Sequence, residues 1–357
     1  MNNEATIYAK LAEHLDQLPG GFFSSDRDVD LCLLQRLFSQ EEAGLAIFLT
    51  LDRENVQVIA ERAGLPVAQT EQRLNEMSKK GLIFSIRSEE RAALYQAVPF
   101  VIGIFEFQVN NLSKGLLRDL AYYWRARKTM ANTEVIPQIR TIPIGASIDP
   151  HLEVLSYEQV NELVKSKDRF AVAPCICRRT AKMTGGGCDA PEESCLVFDE
   201  WADYYIGDGR GRSIPQSEVY EILARADTAN LVLQPSNSMD ASFICCCCGC
   251  CCGILGGLKN HPKPSEMVSS SFVAMLEAEL CTGCWICLER CQMQALTEEI
   301  DRVALNTDRC IGCGLCVSTC PSGALMLARK PESEPTKIPA TMDGTWRVIS
   351  QAQTKTS

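Results

Sequence analysis

The first hundred positions alternate apolar and polar residues in a way that predicts short helices followed by a hairpin. One helix is predicted over residues 55–64 and a second from residue 65 to about residue 80, and a glycine ends each of them. Two apolar-rich segments, 82–86 and 92–100, then flank a polar turn and predict a pair of strands. We therefore expect a small helical module with a β-hairpin over residues 1–105.

The pattern changes after this module. Residues 111–131 carry apolar positions at near-helical spacing, within a connector over 106–150 that also contains three prolines. Helices and strands then alternate, which predicts a central α/β domain over residues 151–262. Its predicted elements are helices at 156–165 and 216–226 and strands at 170–174 and 231–234. Beyond residue 330 the composition turns to Pro, Ser and Thr, so we expect an extended or disordered tail over 331–357.

Composition and charge narrow the classes of protein that fit. The chain has 357 residues, 46% of them hydrophobic, which is enough apolar material for two or three domains. Its formal net charge of −10 disfavours nucleic-acid binding, because an acidic surface repels phosphates. Residues 111–131 are a basic exception, with five basic residues against one acidic, and we interpret this face as solvated or packed on the protein itself.

The cysteines and the apolar runs indicate the compartment. Of the 20 cysteines, 19 lie between positions 175 and 320, a clustering that favours metal binding over a secreted disulfide scaffold. The chain begins without a signal-peptide pattern, and its longest apolar run, 97–105, is too short to cross a bilayer. We therefore expect a cytoplasmic protein without a transmembrane segment, in an oxygen-poor, anaerobic setting. The three histidines lie beside no plausible nucleophile, so hydrolytic catalysis has no support.

The order helix, turn, helix and hairpin over residues 25–100 resembles the winged-helix domain. Such domains suggest DNA binding, but residues 1–100 contain ten Lys and Arg against fifteen Asp and Glu. The second helix presents mostly uncharged or acidic side chains, namely Gln69, Glu71, Gln72, Arg73 and Glu76, before Lys79 and Lys80. We therefore expect a docking or dimerisation module.

The last third of the chain contains two copies of the spacing C-x2-C-x2-C-x3-C. The first copy is Cys281, Cys284, Cys287 and Cys291, and the second is Cys310, Cys313, Cys316 and Cys320. Each cysteine of the second copy follows its counterpart by 29 positions, and the same offset maps Ala295-Leu296 onto Ala324-Leu325, so the unit is duplicated. Three thiolates on such a loop can take three corners of a cubane cluster, while the fourth cysteine reaches the other cluster.

This repeat resembles the bacterial two-cluster ferredoxin, over about residues 274–328 of a domain placed at 270–330. The resemblance implies two 4Fe-4S clusters, the first held by Cys281, Cys284, Cys287 and Cys320 and the second by Cys310, Cys313, Cys316 and Cys291. The second copy ends in the family's Cys320-Pro321, whereas the first has Gln292 in place of that proline. Two zinc knuckles are the alternative, but zinc chemistry does not call for a crossed, duplicated spacing.

The central domain carries eleven further cysteines. They are Cys175, Cys177, Cys188 and Cys195, and then Cys245, Cys246, Cys247, Cys248, Cys250, Cys251 and Cys252. Consecutive side chains point to different sides of the backbone, so packing cannot explain seven cysteines in eight positions, and several must reach metal. The expected ligands are Cys175, Cys177, Cys188, Cys195, Cys245, Cys247, Cys248, Cys250, Cys251 and Cys252, in one or more sites of undetermined partition.

Several kinds of central centre fit these residues. Eight thiolates would serve two more 4Fe-4S clusters, whereas one larger or non-cubane cluster could take five or more. The triplets within 247–253 resemble the CCG element of heterodisulfide-reductase-type subunits, which implies a non-cubane cluster. A metallothionein-like stretch for zinc or copper is the alternative. Arg178 and Arg179 follow the first cysteines and are candidates to compensate the charge of a cluster or to bind an anionic ligand.

Together these patterns predict an α+β multidomain iron-sulfur protein. Its expected function is electron transfer, alone or as the redox subunit of an anaerobic oxidoreductase, between the paired clusters and the central site. The alternatives are a redox-sensing winged-helix regulator and a scaffold for iron-sulfur cluster assembly. Residues 270–328 hold seven acidic residues against three arginines, so we expect a redox partner with a basic docking face. The sequence leaves open whether the chain is a homo-oligomer or a subunit of a complex.

Overall fold

The computed structural model describes residues 3–22, 29–88, 90–127, 136–149, 151–331 and 338–356. It divides into two compact units. The N-terminal unit comprises Met1–Gln138, Gly207–Arg210 and Asp343–Ser357, and the cysteine-rich unit comprises Ile139–Ile206 and Gly211–Met342. The central and tandem-repeat segments, expected as separate domains, thus lie in one unit. Among the described residues no helix is both long and apolar enough to span a membrane.

The N-terminal unit consists of short helices around a small sheet. Its elements up to residue 127 are α1 Asn3–Asp16, α2 Val29–Leu37, α3 Gln40–Ala46, β1 Glu54–Asn55, α4 Val56–Ala63, α5 Val67–Lys80, β2 Phe84–Ile86, β3 Leu94–Gln96, α6 Phe105–Phe107 and α7 Lys114–Arg127. The three strands pair antiparallel in the order β1-β3-β2. Gly64 and Gly81 end α4 and α5 in the left-handed conformation, so both predicted glycine stops are present.

Helix α7 is the basic amphipathic helix that the sequence predicts, and residues 128–131 of that prediction lie outside the described residues. Leu116, Leu117 and Leu120 are buried, while Arg118 is exposed. The acidic residue of this helix, Asp119, is buried and pairs with Arg36 of α2. The basic face is therefore solvated in part, and its one carboxylate fastens α7 to α2.

The prediction of an extended or disordered tail over 331–357 is wrong for its last part. A helix, α15 Met342–Thr356, forms there. Trp346 is fully buried, and its indole N–H donates to Oε1 of Gln138 at 2.9 Å. Asp343 forms an ion pair with Arg53 at 2.8 Å. The proline-rich composition of 331–341 masked the helical spacing of Trp346 and Ile349, whose burial stabilises the helix.

The cysteine-rich unit is built on a five-stranded sheet. Its strands are β4 Phe170–Pro174, β5 Glu193–Phe198, β6 Arg212–Ser213, β7 Val232–Pro235 and β8 Phe243–Cys247, in the order β6-β4-β5-β8-β7. Its helices are α8 Val160–Lys165, α9 Ile176–Met183, α10 Asp199–Gly207, α11 Gln216–Thr228, α12 Gly253–Asn260 and α13 Pro264–Met267. All four strand pairings are antiparallel, so the α/β class expected for the central domain is corrected to α+β, the class expected for the chain as a whole.

The tandem-repeat segment, residues 270–330, belongs to the same unit. It contains β9 Phe272–Leu276, α14 Ile286–Arg290, β10 Leu296–Glu298, β11 Val303–Leu305 and β12 Leu325–Arg329. Strand β9 pairs with β12 and β10 with β11, both antiparallel. Three pairs of positions 29 residues apart share a left-handed backbone: Gly283 and Gly312, Trp285 and Gly314, Gln294 and Gly323. The duplication seen in the sequence therefore extends to the backbone, within a mixed α+β fold of several small antiparallel sheets.

Candidate metal centres

The cysteines of the two repeats come together in a crossed arrangement. Cys281, Cys284 and Cys287 of the first repeat line one cavity together with Cys320 of the second. We call these four residues the first crossed set. Cys284 is exposed, whereas Cys287 is buried, and burial raises the pKa of the Cys287 thiol to about 11. One side of this set therefore faces solvent.

The second crossed set consists of Cys310, Cys313 and Cys316 with Cys291 of the first repeat. The negative charge of a Cys291 thiolate acts on each of the other three thiols and raises its pKa. Burial raises the pKa of the Cys313 thiol to about 12, so this sulfur becomes a thiolate at neutral pH when a metal ion replaces its proton. The backbone N–H of Ala274 donates to Sγ of Cys310 at 3.3 Å, a contact that favours a negatively charged sulfur.

Two glycines allow the repeat loops to close against the neighbouring chain. A Cβ at Gly312 would lie 2.2 Å from the carbonyl oxygen of Phe272, and one at Gly283 would lie 2.6 Å from that of Asp301. Both glycines also have positive φ, +71° and +64°. A side chain at either position would push the loop, and with it the cysteines on both sides, away from the sheet.

The central cysteines form two groups. Cys188, Cys248, Cys250 and Cys251 are the four-cysteine group, and their sulfur atoms all lie within 4.8 Å of one another. Sγ of Cys188 lies 3.7 Å from Sγ of Cys248 and 3.8 Å from Sγ of Cys251, and Sγ of Cys250 lies 3.7 Å from Sγ of Cys251. Within the described ranges, no other place gathers three or more potential ligand atoms this closely.

The six-cysteine group lies on the sheet and on the ends of two helices. It consists of Cys175, Cys177, Cys195, Cys245, Cys247 and Cys252, which form a continuous series of thiol contacts. Cys245 contacts Cys195 and Cys247, Cys247 contacts Cys252, Cys252 contacts Cys177, and Cys177 contacts Cys175. This series spreads over more space than the four-cysteine group, because no three of its sulfurs fall within the same short distance.

Strand pairing explains which members of the cysteine run join this group. Cys245 of β8 lies opposite Cys195 of β5, and Cys247 follows two positions later on the same face. Cys246 points to the other face and is buried in the hydrophobic core, where burial raises the pKa of its thiol. Cys175 and Cys252 are the N-cap residues of α9 and α12, so two helix N-termini are directed at the group.

Arg178 lies between the two groups and is fully buried. It donates to the carbonyl oxygen of Cys246 at 2.9 Å and approaches Sγ of Cys248 at 3.9 Å. Burial alone would lower the pKa of Arg178, but the charges of Cys175, Cys248 and Cys188 raise it above its ordinary value. Its Nε–H has no acceptor in the described part of the chain. A buried cation with a spare donor fits a site made for an anionic, thiolate-bound metal centre.

The second predicted arginine has a different environment. Arg179 forms an ion pair with Glu192 at 2.7 Å, and both side chains are partly exposed. The structure therefore brings Arg178, of the two candidates, to the central cysteines.

A side chain that the sequence marked as a departure from the ferredoxin pattern joins the two cysteine regions. Oε1 of Gln292 accepts a hydrogen bond from the backbone N–H of Gly249 at 2.8 Å, and its Nε2 donates to the carbonyl oxygen of Asn230 at 2.8 Å. A Cβ at Gly249 would lie 2.9 Å from Oε1 of Gln292. The absence of the family's proline after Cys291 was the sequence signal for this link, because a proline side chain could form neither of these hydrogen bonds.

The second crossed set also shares a core with the central cysteines. Cys291 and Cys313 pack against the hydrophobic cluster that contains Cys247, Cys248 and Cys252. The backbone N–H of Ile144 donates to the carbonyl oxygen of Cys313 at 3.1 Å. The second crossed set is therefore turned toward the central domain and the first toward solvent.

Residues 303–326 match the family model of the 4Fe-4S binding domain. The match covers the four cysteines of the second repeat, and the first repeat lies outside it. The chain thus contains a 4Fe-4S binding domain, and its donor set of soft thiolates fits that group. No curated protein and no solved structure matches the chain.

Proposed function

We propose that this protein carries electrons between iron-sulfur clusters in its tandem repeats and a metal centre in its central domain. It acts alone or as the redox subunit of a cytoplasmic, anaerobic oxidoreductase. In this proposal each crossed set holds one 4Fe-4S cluster, and the ten central cysteines hold further metal. A 4Fe-4S cluster supplies one-electron redox chemistry when bound.

The observation that carries the proposal is the core shared by the two regions. Cys291 and Cys313 pack against the hydrophobic cluster of which Cys247 and Cys252 are members. Electron-transfer rates fall steeply with distance, so a shared core is the arrangement that an internal electron path requires. Gln292 and Gly249 fix the two regions to each other at this point.

The solvent-facing end of this path is the first crossed set. Cys284 is exposed there, and the nearby Leu280 and Ile286 are 47% and 44% exposed. Acidic residues outnumber arginines in this segment, as counted above. An exposed apolar patch in a segment with an excess of acidic residues suits a transient redox partner that has a basic face.

The N-terminal unit is proposed to be a winged-helix-like docking module. Its order of α3, β1, α4, α5, β2 and β3 supports that resemblance. Two of the basic side chains on α5 already have partners, since Arg73 pairs with Glu41 and Lys80 pairs with Glu42. These pairs weaken the case for phosphate binding, so we propose a protein partner for this unit and no nucleic acid.

The internal path is tested by flash photoreduction of the anaerobically purified full chain. In the unmodified protein we expect the tandem-repeat clusters to be reduced first, followed by a second phase as electrons reach the central centre. The double variant Cys247→Ser with Cys252→Ser should lose the second phase and keep the EPR signals of the tandem repeats. The control is Cys32→Ser, an exposed cysteine of the N-terminal unit.

Two outcomes would overturn the proposal. An unchanged second phase in the double variant would remove the central domain from the path. A colourless protein with zinc as its only metal would remove electron transfer altogether. Salt-sensitive binding to DNA that depends on the state of the clusters would favour the redox-sensing regulator instead.

A further inference from the structure

The distances within the four-cysteine group distinguish two kinds of metal centre. A tetrahedral ion with metal–sulfur bonds of about 2.3 Å places its four sulfur ligands about 3.8 Å apart. Three of the six sulfur–sulfur distances among Cys188, Cys248, Cys250 and Cys251 are 3.7, 3.8 and 3.7 Å, and all six lie within 4.8 Å. A cubane cluster separates its cysteine sulfurs more widely, because each sulfur binds a different iron.

We propose that the four-cysteine group binds a single tetrahedral divalent ion, Zn²⁺ or Fe²⁺, and that it is a separate site from the six-cysteine group. The assignment adds detail to the proposed function. It rests on that function in one respect, because it leaves the six-cysteine group as the redox centre. Thiolate ligands in a tetrahedral set select zinc or iron among the common divalent ions.

The wider spacing elsewhere supports the contrast between the two groups. The crossed sets and the six-cysteine group contain fourteen cysteines, and no three of their sulfurs lie within 4.8 Å of one another. A compact set of three or more sulfurs is therefore found once in the described structure, at the four-cysteine group.

The surroundings of the four-cysteine group suit an ion with four thiolates. Such a site carries a net negative charge, and the buried guanidinium of Arg178 approaches it through Cys248. Cys188 comes from the loop after α9, and the other three ligands come from the turn between β8 and α12. The ion would therefore tie that loop to the turn, next to the segment that carries Cys247 and Cys252 into the six-cysteine group.

The first test is a metal analysis of the anaerobically purified full chain. If the ion is zinc, we expect one zinc per chain, with an X-ray absorption spectrum that shows four sulfur neighbours at about 2.3 Å and no neighbouring metal. If it is iron, we expect a mononuclear, high-spin Mössbauer component in a tetrahedral sulfur environment. Neither component, or a zinc spectrum with a metal neighbour, would overturn the assignment.

The second test uses variants of the full chain. Cys188→Ser with Cys250→Ser should remove that one ion and leave the acid-labile sulfide unchanged. Cys195→Ser with Cys245→Ser should lower iron and sulfide together and keep the single ion. The matched control is Cys246→Ala, within the same run of cysteines, which should change neither count. Loss of sulfide in the first variant would show one continuous cluster and overturn the separation.

These readouts separate the inference from the proposed function. The single ion is detected without any electron transfer, and the tandem-repeat clusters are detected by their own EPR signals in the reduced protein. Absent EPR signals with a retained tetrahedral ion would count against the proposed function alone. Present signals without that ion would count against the inference alone.

Discussion

Gln292 and Gly249 are joined by a hydrogen bond of 2.8 Å between a side-chain oxygen and a backbone N–H. Gln292 follows the last cysteine of the first repeat, and Gly249 lies inside the run of central cysteines. The bond therefore connects the loop that carries Cys291 directly to the turn that carries Cys248 and Cys250. Its geometry depends on glycine at 249, because a Cβ there would lie 2.9 Å from the same oxygen.

The first prediction concerns this bond. Gln292→Pro restores the proline of the second repeat but removes both side-chain hydrogen bonds, so the turn at Gly249 loses a fixed neighbour. We expect the iron content to be unchanged and the rate of internal electron transfer to fall by about tenfold, which corresponds to about 1.4 kcal/mol in the activation barrier. Flash photoreduction measures this rate.

Gln292→Glu provides the matched control. It keeps an oxygen that can accept from Gly249 but cannot donate to Asn230 as the amide does. An intermediate rate is expected. Identical rates in the proline variant and the unmodified protein would show that the bond has no part in the path.

The second prediction compares two glycines with nearly equal backbone angles. Gly312 and Gly323 have φ of +71° and +69°, but a Cβ would meet the carbonyl oxygen of Phe272 at 2.2 Å at the first position and no atom within 4 Å at the second. Gly323→Ala should lower the stability by about 1 kcal/mol, because an alanine is strained in the left-handed conformation. Gly312→Ala should also displace the loop of the second crossed set.

The measurement is the cluster EPR signal after gentle warming of the two variants. We expect Gly323→Ala to keep both signals and Gly312→Ala to lose that of the second crossed set. Equal loss in both variants would mean that backbone strain, and not the close approach to Phe272, controls cluster retention.

The third prediction separates the two neighbouring arginines. Arg178→Ala removes a buried cation from among thiolates and takes one hydrogen-bond donor from the carbonyl oxygen of Cys246. We therefore expect a loss of about 3 kcal/mol or more of stability, together with loss of central-domain metal. Arg179→Ala breaks a partly exposed ion pair with Glu192 and should cost less than about 1 kcal/mol. Metal analysis together with thermal unfolding distinguishes them. Similar metal loss in both variants would contradict the assigned role of Arg178.

The fourth prediction tests the C-terminal helix. Trp346 is fully buried, whereas Val348 on the same helix is 39% exposed. Trp346→Ala should destabilise the N-terminal unit by about 3–5 kcal/mol, and Val348→Ala by less than about 0.5 kcal/mol. Hydrogen exchange of the N-terminal unit measures both effects. If the two variants exchange alike, the burial of Trp346 does not stabilise this unit.

The sequence predicted the local elements well where a residue type fixes the backbone. Gly64 and Gly81 ended two helices as expected, because a left-handed cap strongly favours glycine. The tail helix was missed because its prolines lie just before the segment that buries Trp346. Local composition carried more weight there than the helical spacing of two apolar residues.

The division of the central cysteines into two groups could not be predicted from local sequence patterns, for a different reason. It depends on the pairing of β5 with β8, which places Cys195 opposite Cys245 and turns Cys246 to the other face. These strands are nearly fifty residues apart in sequence, so no spacing rule within the cysteine run contains the information. By contrast, the resemblance to the ferredoxin pattern had already implied that Cys320 would join the first repeat, and the structure brings these side chains together.

The fifth prediction follows from the different exposure of the two crossed sets. Cys284 of the first set is exposed, whereas Cys310 and Cys316 of the second are buried. Oxidants and chelators reach a thiolate-bound cluster through its exposed side, so we expect the first set to lose its cluster before the second. EPR spectra of the reduced protein, recorded after increasing times of controlled air exposure, should show two separate losses. Ile286→Asp, which adds charge beside Cys284, should change the faster loss alone. A single concerted loss would mean that both clusters depend on one structural element, and the exposure of Cys284 would then not set their order.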